Sequence, residues 1–390
     1  MKKIIIILIT SISLLACKKT EETKFDDSLP VDAFLMYCAS YNNLNSDLSQ
    51  NINDLLENYT FYGNKRIYIF FSDSNYYSYL YRVNTKGEKE LIKEYGYGLN
   101  AATIETLEEV MSDVASQSDV IELTDILLSS HGMSWLPNGQ NPKELSTEAS
   151  WSGSYLNYIS SYSFGYDKSD TSEGIEIDEM AELFENYNLQ TIIFDACFMG
   201  SIETYYELRN SADYILASPC EILSAGMNYS DMSKYLTKES SLDNLSKIAY
   251  ATYDLYNTSY TGTNQTSALS IVDCAKLESF GNYVKNIMDK YSAYSSSAIP
   301  DIRYDSYSTK YAHDLKLYLE NLIELGGGTE YDELQTYWYD TFPYYYKTEY
   351  LFDYMPTVGS GGVAAYIYRS TVLTSINSFY LSLDWGELIM

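Results

Sequence analysis

Gln190-Thr191-Ile192-Ile193-Phe194-Asp195-Ala196-Cys197-Phe198-Met199-Gly200 is the stretch on which the fold turns. Its nearly continuous apolar run, 190–196, reads as a strand buried on both faces, the mark of a parallel sheet. The run stops at a cysteine, and Gly200–Asn210 reads as the helix that follows. A second run, Glu122–Ser130, stops at His131-Gly132. In an open α/β sheet, ligands bind at the carboxyl ends of the strands, so an imidazole and a thiol on two neighbouring strands share one crevice.

The surrounding chain repeats the pattern of short apolar runs alternating with amphipathic helices. Ala33–Cys38, Arg66–Phe71, Asp213–Ala217 and Ser267–Val272 read as strands, and Leu44–Glu57 and Ile177–Tyr187 as helices. Asn84-Thr85-Lys86-Gly87 is a hairpin turn between Tyr79–Val83 and Leu91–Tyr95, and Thr103 is an N-cap for a helix reaching about Gln117. Asn138–Gly174, rich in Ser, Gly, Asn and Tyr, reads as a long surface connection. Beyond Ser230 the chain is mainly helical by pattern: Ser230–Glu239, Leu242–Thr258, Cys274–Tyr291 and Ser308–Leu325, with a further strand-like run at Val363–Tyr368. His313 falls in the last of these helices and reads as a surface residue.

The chain has 390 residues, of which 54 are acidic and 25 basic, a formal charge of −29. A polyanion of this size repels nucleic acid and anionic lipid surfaces, which sets both aside as partners. The 43 tyrosines are spread along the whole chain and read as a compositional habit. Lys2 and Lys3 precede an apolar stretch, Ile4–Leu15, that is too short for a membrane span and has the layout of a secretory signal. Leu14-Leu15-Ala16-Cys17 resembles a bacterial lipobox, which implies cleavage after residue 16, lipid on Cys17 and a polar tether to about residue 30. The expected location is the cell envelope, lipid-anchored at the outer membrane or cell surface. Cys38, Cys220 and Cys274 are open to pairing or to a role as small buried fillers. The sequence carries no HExxH, paired CxxC, phosphate-loop or EF-hand pattern.

An unperturbed thiol is only a few per cent thiolate at neutral pH, so a nucleophilic Cys197 calls for a base. His131 supplies one, and the helix after Cys197 is expected to aim N–H groups at the sulfur. Gly132 permits close backbone approach, so its N–H and that of Cys197 are candidates for an oxyanion hole. The order, histidine first and cysteine 66 positions later, is that of caspases.

Ser130-His131-Gly132-Met133-Ser134-Trp135 and Phe194-Asp195-Ala196-Cys197-Phe198-Met199-Gly200-Ser201-Ile202-Glu203 resemble the two signature blocks of the clostripain family of cysteine peptidases, a caspase-like clan. Met36–Leu44, Ala217-Ser218-Pro219-Cys220-Glu221 with Gly226 and Tyr229, and Ser267–Asp273 resemble further family segments. The resemblance spans roughly 31–280. It implies a caspase-like, mostly parallel sheet with helices on both faces over 31–280. Residues 281–390 read as a largely helical extension with some strand packed on that core, the late strand-like runs being outer strands of the same sheet or part of a smaller appended domain.

By the same resemblance His131 and Cys197 are the catalytic dyad, and Asp195, Trp135 and Glu221 contact a protein or peptide substrate. Asp195 would favour cleavage after Arg or Lys; its other reading is a helix-capping acid. Lys143 and Lys168 are the basic residues at which self-processing would fall. No cofactor is required, calcium enters only through relatives that depend on it, and a monomer is expected. Two departures stand out: Ser134 occupies a position that is usually Gly, and Leu223-Ser224 replaces a common Pro-Gly pair. The alternatives are a surface lipoprotein that binds glycan or peptide, and an inactive peptidase homologue.

Overall fold

The computed structural model describes residues 26–27, 29–139, 163–170, 173–302, 304, 311–370, 372 and 374–390. Cys17 and Lys143 lie outside the described residues. β1 (Val31–Cys38), β2 (Lys65–Ser72), β5 (Val120–Ser129), β6 (Leu189–Asp195) and β7 (Ala212–Ala217) form a parallel block ordered β7-β6-β5-β1-β2. Antiparallel strands extend it on both sides. β3 (Tyr77–Val83) and β4 (Lys89–Tyr97) follow β2, while β8 (Ala268–Asp273) and β10 (Tyr344–Lys347) follow β7, giving nine strands.

Helices cover both faces. On one lie α1 (Asn45–Glu57), α5 (Tyr229–Leu236) and α6 (Leu242–Ser259), packed on Met36, Ile69, Leu127 and Ile193. On the other lie α2 (Ile104–Ala115), α3 (Ile177–Phe184), α4 (Ile202–Glu207), α7 (Leu277–Lys290), α8 (Leu315–Leu325) and α9 (Tyr331–Thr341). Two short helices, α10 (Thr374–Tyr380) and α11 (Asp384–Ile389), close the same side through Ile376, Tyr380 and Trp385. Alternate residues of each strand feed opposite faces, which is why the strand middles are continuous apolar runs, while buried Lys65, Arg66 and Asp125 nearer the amino ends are ion-paired. Thr103 caps α2 by accepting from Thr106 N–H at 3.3 Å, as its sequence position predicts.

Several expectations are corrected. The boundary at 280 falls inside α7, and residues beyond it supply the edge strand β10 of the same sheet. The helix expected from Ser308 begins at Leu315. His313 belongs instead to a two-residue strand, β9 (His313–Asp314), paired with β11 (Ala364–Ala365), and is buried rather than on the surface. The connection 138–174 is not wholly a surface loop: Phe164 is buried, and Gly165 N–H bonds His131 O at 3.0 Å.

Candidate active site

The β1–β5–β6 register sets the site. Cys38 stands opposite Ser129, and Ser129 opposite Asp195, at the carboxyl ends of three adjacent parallel strands. Two residues further on, the chain reaches Ser40, His131 and Cys197 side by side. The strand order reverses between β1 and β5, so this row borders the topological switch point where open sheets bind ligands.

Gly132 is required by close approach. A Cβ there would lie 2.9 Å from Cys197 O, 3.0 Å from Met199 Sδ and 3.1 Å from Ala196 Cβ. The turn carrying Cys197 is tied from its other side by Phe198 N–H to Cys220 O at 3.0 Å and Gly200 N–H to Ser218 O at 2.7 Å. Ser134 has φ 62°, a left-handed conformation that glycine adopts without cost, which accounts for glycine being usual there. Its hydroxyl offsets the strain through Ser201 Oγ at 2.6 Å and Thr204 Oγ1 at 3.2 Å, linking the two signature blocks.

His131 is half-buried, and burial pushes its pKa down to about 4, so the ring is neutral at pH 7. Its Nε2 lies 2.9 Å from Asn43 Oδ1, and Tyr166 meets it edge-on at 5.8 Å. Cys197 is also half-buried. Burial raises its thiol pKa, the Glu221 carboxylate raises it further, and an N–H from Ile222, 3.3 Å from Sγ, opposes both. That N–H replaces the expected helix contribution: α4 starts five residues beyond Cys197, and its Thr204 N–H is capped by Ser201. No hydrogen bond joins His131 to Cys197 among the described residues, each group being engaged elsewhere.

Asp195 is 5% exposed and accepts from Tyr229 OH at 2.5 Å and Ser129 Oγ at 3.0 Å through Oδ2. Burial pushes its pKa up. Gly226, at φ 69°, sits against it: a Cβ there would lie 2.8 Å from both Asp195 Oδ2 and Asn51 Nδ2. Asp195 Oδ1 and Asn51 Nδ2 are both buried without a hydrogen-bond partner. Asp195 does not cap the helix after its own strand, which Ser201 caps; its partners are Ser129 on β5, Tyr229 on α5 and the Met227 N–H just before α5.

Trp135 lines a small cavity with Ser134, Phe198 and Ser201, between the two signature blocks. It is 1% exposed, with Tyr366 and Tyr380 ring centroids at 5.3 and 5.2 Å. Lys168 is exposed in the Asp167–Asp170 turn, its Nζ 3.8 Å from the Tyr41 ring centroid. Cys38, Cys197, Cys220 and Cys274 are all free thiols. Among the described residues no group of three or more His, Cys, Asp or Glu side chains could hold a metal ion. No described helix is long and apolar enough to cross a membrane.

Sequence reasoning missed Asn43, Asn51 and Ile222. Asn43 was legible in the Asn42-Asn43-Leu44 turn after β1. Ile222 acts through its backbone and leaves no residue signal.

Comparison with known proteins places these features. A clostripain-family model matches residues 36–350. A secreted C11 cysteine protease from Bacteroides thetaiotaomicron, solved with an irreversible peptide inhibitor, superposes with a TM-score of 0.75 at 20% identity, over 92% of this chain and 98% of that one. Another structure of a secreted C11 cysteine protease from the same organism, iotapain, gives 0.73 at 21% identity, covering 93% and 100%. An inactive zymogen C11 protease from Parabacteroides distasonis gives 0.72 at 21% identity, covering 94% and 99%. No curated protein matches significantly. With the model spanning most of the chain, and with the sheet and both signature blocks in place, the chain belongs to the clostripain family of cysteine peptidases.

Proposed function

We propose that this peptidase is an endopeptidase in which Cys197 is the nucleophile and His131 the acid–base partner. The supporting observation is the register that delivers both side chains from adjacent parallel strands to the switch point. The thiol proton passes to His131 as sulfur attacks the scissile carbonyl. The C–N bond then breaks, His131 returns the proton to the leaving amine, and a thioester remains. Water, deprotonated by His131, attacks the thioester and releases the new carboxyl terminus. Backbone N–H groups of Gly132 and Cys197 are the proposed oxyanion donors.

Asp195 is the proposed determinant for Arg or Lys at the cleaved position. Its unpartnered Oδ1 supports this reading, and a cation entering there requires the Gly226 segment to withdraw. Glu221, beside the thiol, is the proposed second acidic contact. Self-processing is proposed at Lys143 rather than Lys168, because Lys168 N–H is bonded to Tyr41 O at 3.0 Å within a tight turn. Lipidation of Cys17 and envelope anchoring rest on Leu14–Cys17. Detergent-phase partitioning that persists in Cys17→Ala would refute the anchor.

The deciding experiment cleaves a positional peptide library with the chain from residue 25 onward, before and after trypsin trimming of 140–162, with Cys197→Ala as control. Cleavage that disappears in the variant supports the mechanism, and a basic preference supports Asp195. Equal cleavage by both forms, or none by either, refutes it.

A further inference from the structure

We infer that Asn43 is a positioning residue for His131, its carboxamide oxygen holding Nε2–H so that Nδ1 is the nitrogen offered to the thiol. The inference rests on the proposed roles of His131 and Cys197. Its own support is the turn at the end of β1, on the far side of the switch point from Cys197. Asn42 is buried and spends its side chain on that turn: Nδ2 donates to Ala39 O at 2.9 Å and to Tyr166 O at 2.8 Å, and Oδ1 accepts from Leu44 N–H at 2.8 Å. Asn45 Nδ2 bonds Ser40 O at 3.0 Å and Ser72 O at 2.8 Å, fastening the same turn to β2. The exposed residue between these two anchored asparagines places its Oδ1 2.9 Å from His131 Nε2.

A carboxamide oxygen only accepts, so Nε2 carries the proton and the lone pair resides on Nδ1. When the ring takes the thiol proton, the same oxygen faces a cation and the bond strengthens. Such help matters here because burial disfavours the imidazolium, and a bound peptide would remove more water from it. The groups facing the ring are Asn43 from the β1 turn, Tyr166 from the 163–170 segment and the Cys197 strand end, with Glu221 beside the thiol. Of these, Asn43 is the one that sets an acceptor oxygen within hydrogen-bond distance of Nε2.

The test compares Asn43→Ala and Asn43→Asp in the full chain, by kcat and KM on a cleaved peptide across pH, alongside Cys197→Ala. Because Asn43 is exposed, truncation leaves the fold intact, and a melting curve checks this. Asn43→Ala is expected to lower kcat about 10- to 100-fold with KM nearly unchanged. Asn43→Asp keeps an acceptor and adds a charge, so it retains most of the turnover and moves the acidic limb of the profile to higher pH. Wild-type kcat in Asn43→Ala overturns the inference. Equal losses in both variants with an unmoved limb also overturn it, showing a merely structural role. Activity surviving in Cys197→Ala would instead sink the nucleophile assignment, which separates the two failures.

Discussion

Replacing Gly132 by Ala tests whether the spacing between the two signature blocks carries the activity. The new methyl would lie 2.9 Å from Cys197 O, where ordinary contact begins near 3.4 Å. Relief therefore needs a shift of about 0.5 Å, of the kind that overpacking forces on a filled site. Gly132 does not have positive φ, so the backbone accepts alanine and the whole cost is steric. Neither side yields freely. Cys197 is held by the bonds from Phe198 and Gly200, and the histidine turn by Gly165 N–H on His131 O and by Met133 N–H on Ser163 O at 3.1 Å. Overpacking of this sort costs about 1–3 kcal/mol. With an unfolding entropy of about 2 cal/mol/K per residue, a chain of this length would lose roughly 1–4 °C in Tm. Since a 1 Å misplacement costs about 100-fold, a half-ångström parting of His131 and Cys197 should lower kcat/KM about tenfold. Peptide turnover and a calorimetric melt on the same preparation provide the assay. Wild-type turnover in Gly132→Ala, at any Tm, would refute the claim that this contact sets the site.

Two further predictions concern pH. Burial and Glu221 raise the Cys197 thiol pKa, so alkylation by iodoacetamide should climb steadily from about pH 7 to about pH 9, and Glu221→Gln should speed it at pH 8. A flat, fast rate across that range would mean a thiolate already paired with an imidazolium. Glu203 is fully buried, accepts Tyr366 N–H at 2.7 Å and has its pKa raised to about 8. The folded chain thus holds a proton that the unfolded chain releases near the ordinary value of 4.5, so stability is full below that value and falls as pH rises toward 8. Glu203→Gln should remove this slope in Tm between about pH 5 and pH 8, and an unchanged slope would refute the assignment.

The parts of the molecule that were legible before folding are those where burial shapes the residue pattern. The carboxyl halves of β5 and β6, Ile126–Leu128 and Ile192–Phe194, are apolar on both faces, so the strand ends, and with them His131 and Cys197, could be located from the chain alone. Half-buried elements hide better. The four residues of β10 are all intermediate in exposure, and Tyr344–Lys347 shows neither alternation nor an apolar run, so its place at the sheet edge was invisible. His313 was misread because a two-residue strand has no period to detect. The burial of Trp135 was hidden for a different reason: the left-handed turn at Ser134, which no residue type announces, sets its ring against Tyr366 and Tyr380. Contacts made by main chain, such as Ile222 N–H on the thiol, leave no trace in residue identity.

The pairing of β5 with β6 has a consequence for a nicked molecule. Everything up to residue 139 contributes β1–β5 and the imidazole, while everything from 163 onward contributes β6–β8, β10 and the thiol. A single cut between those points yields two polypeptides, each with half of the chemistry, whose strands meet in five residue pairs from Asp125↔Thr191 to Ser129↔Asp195 and whose helices pack together beside that seam. The cut enzyme is then a heterodimer in all but origin. Its activity should depend on dilution and denaturant as an assembly's does. Two nicked enzymes, one inactivated by His131→Ala and the other by Cys197→Ala, should recover activity when co-refolded together, because exchange of halves re-pairs a wild-type imidazole half with a wild-type thiol half.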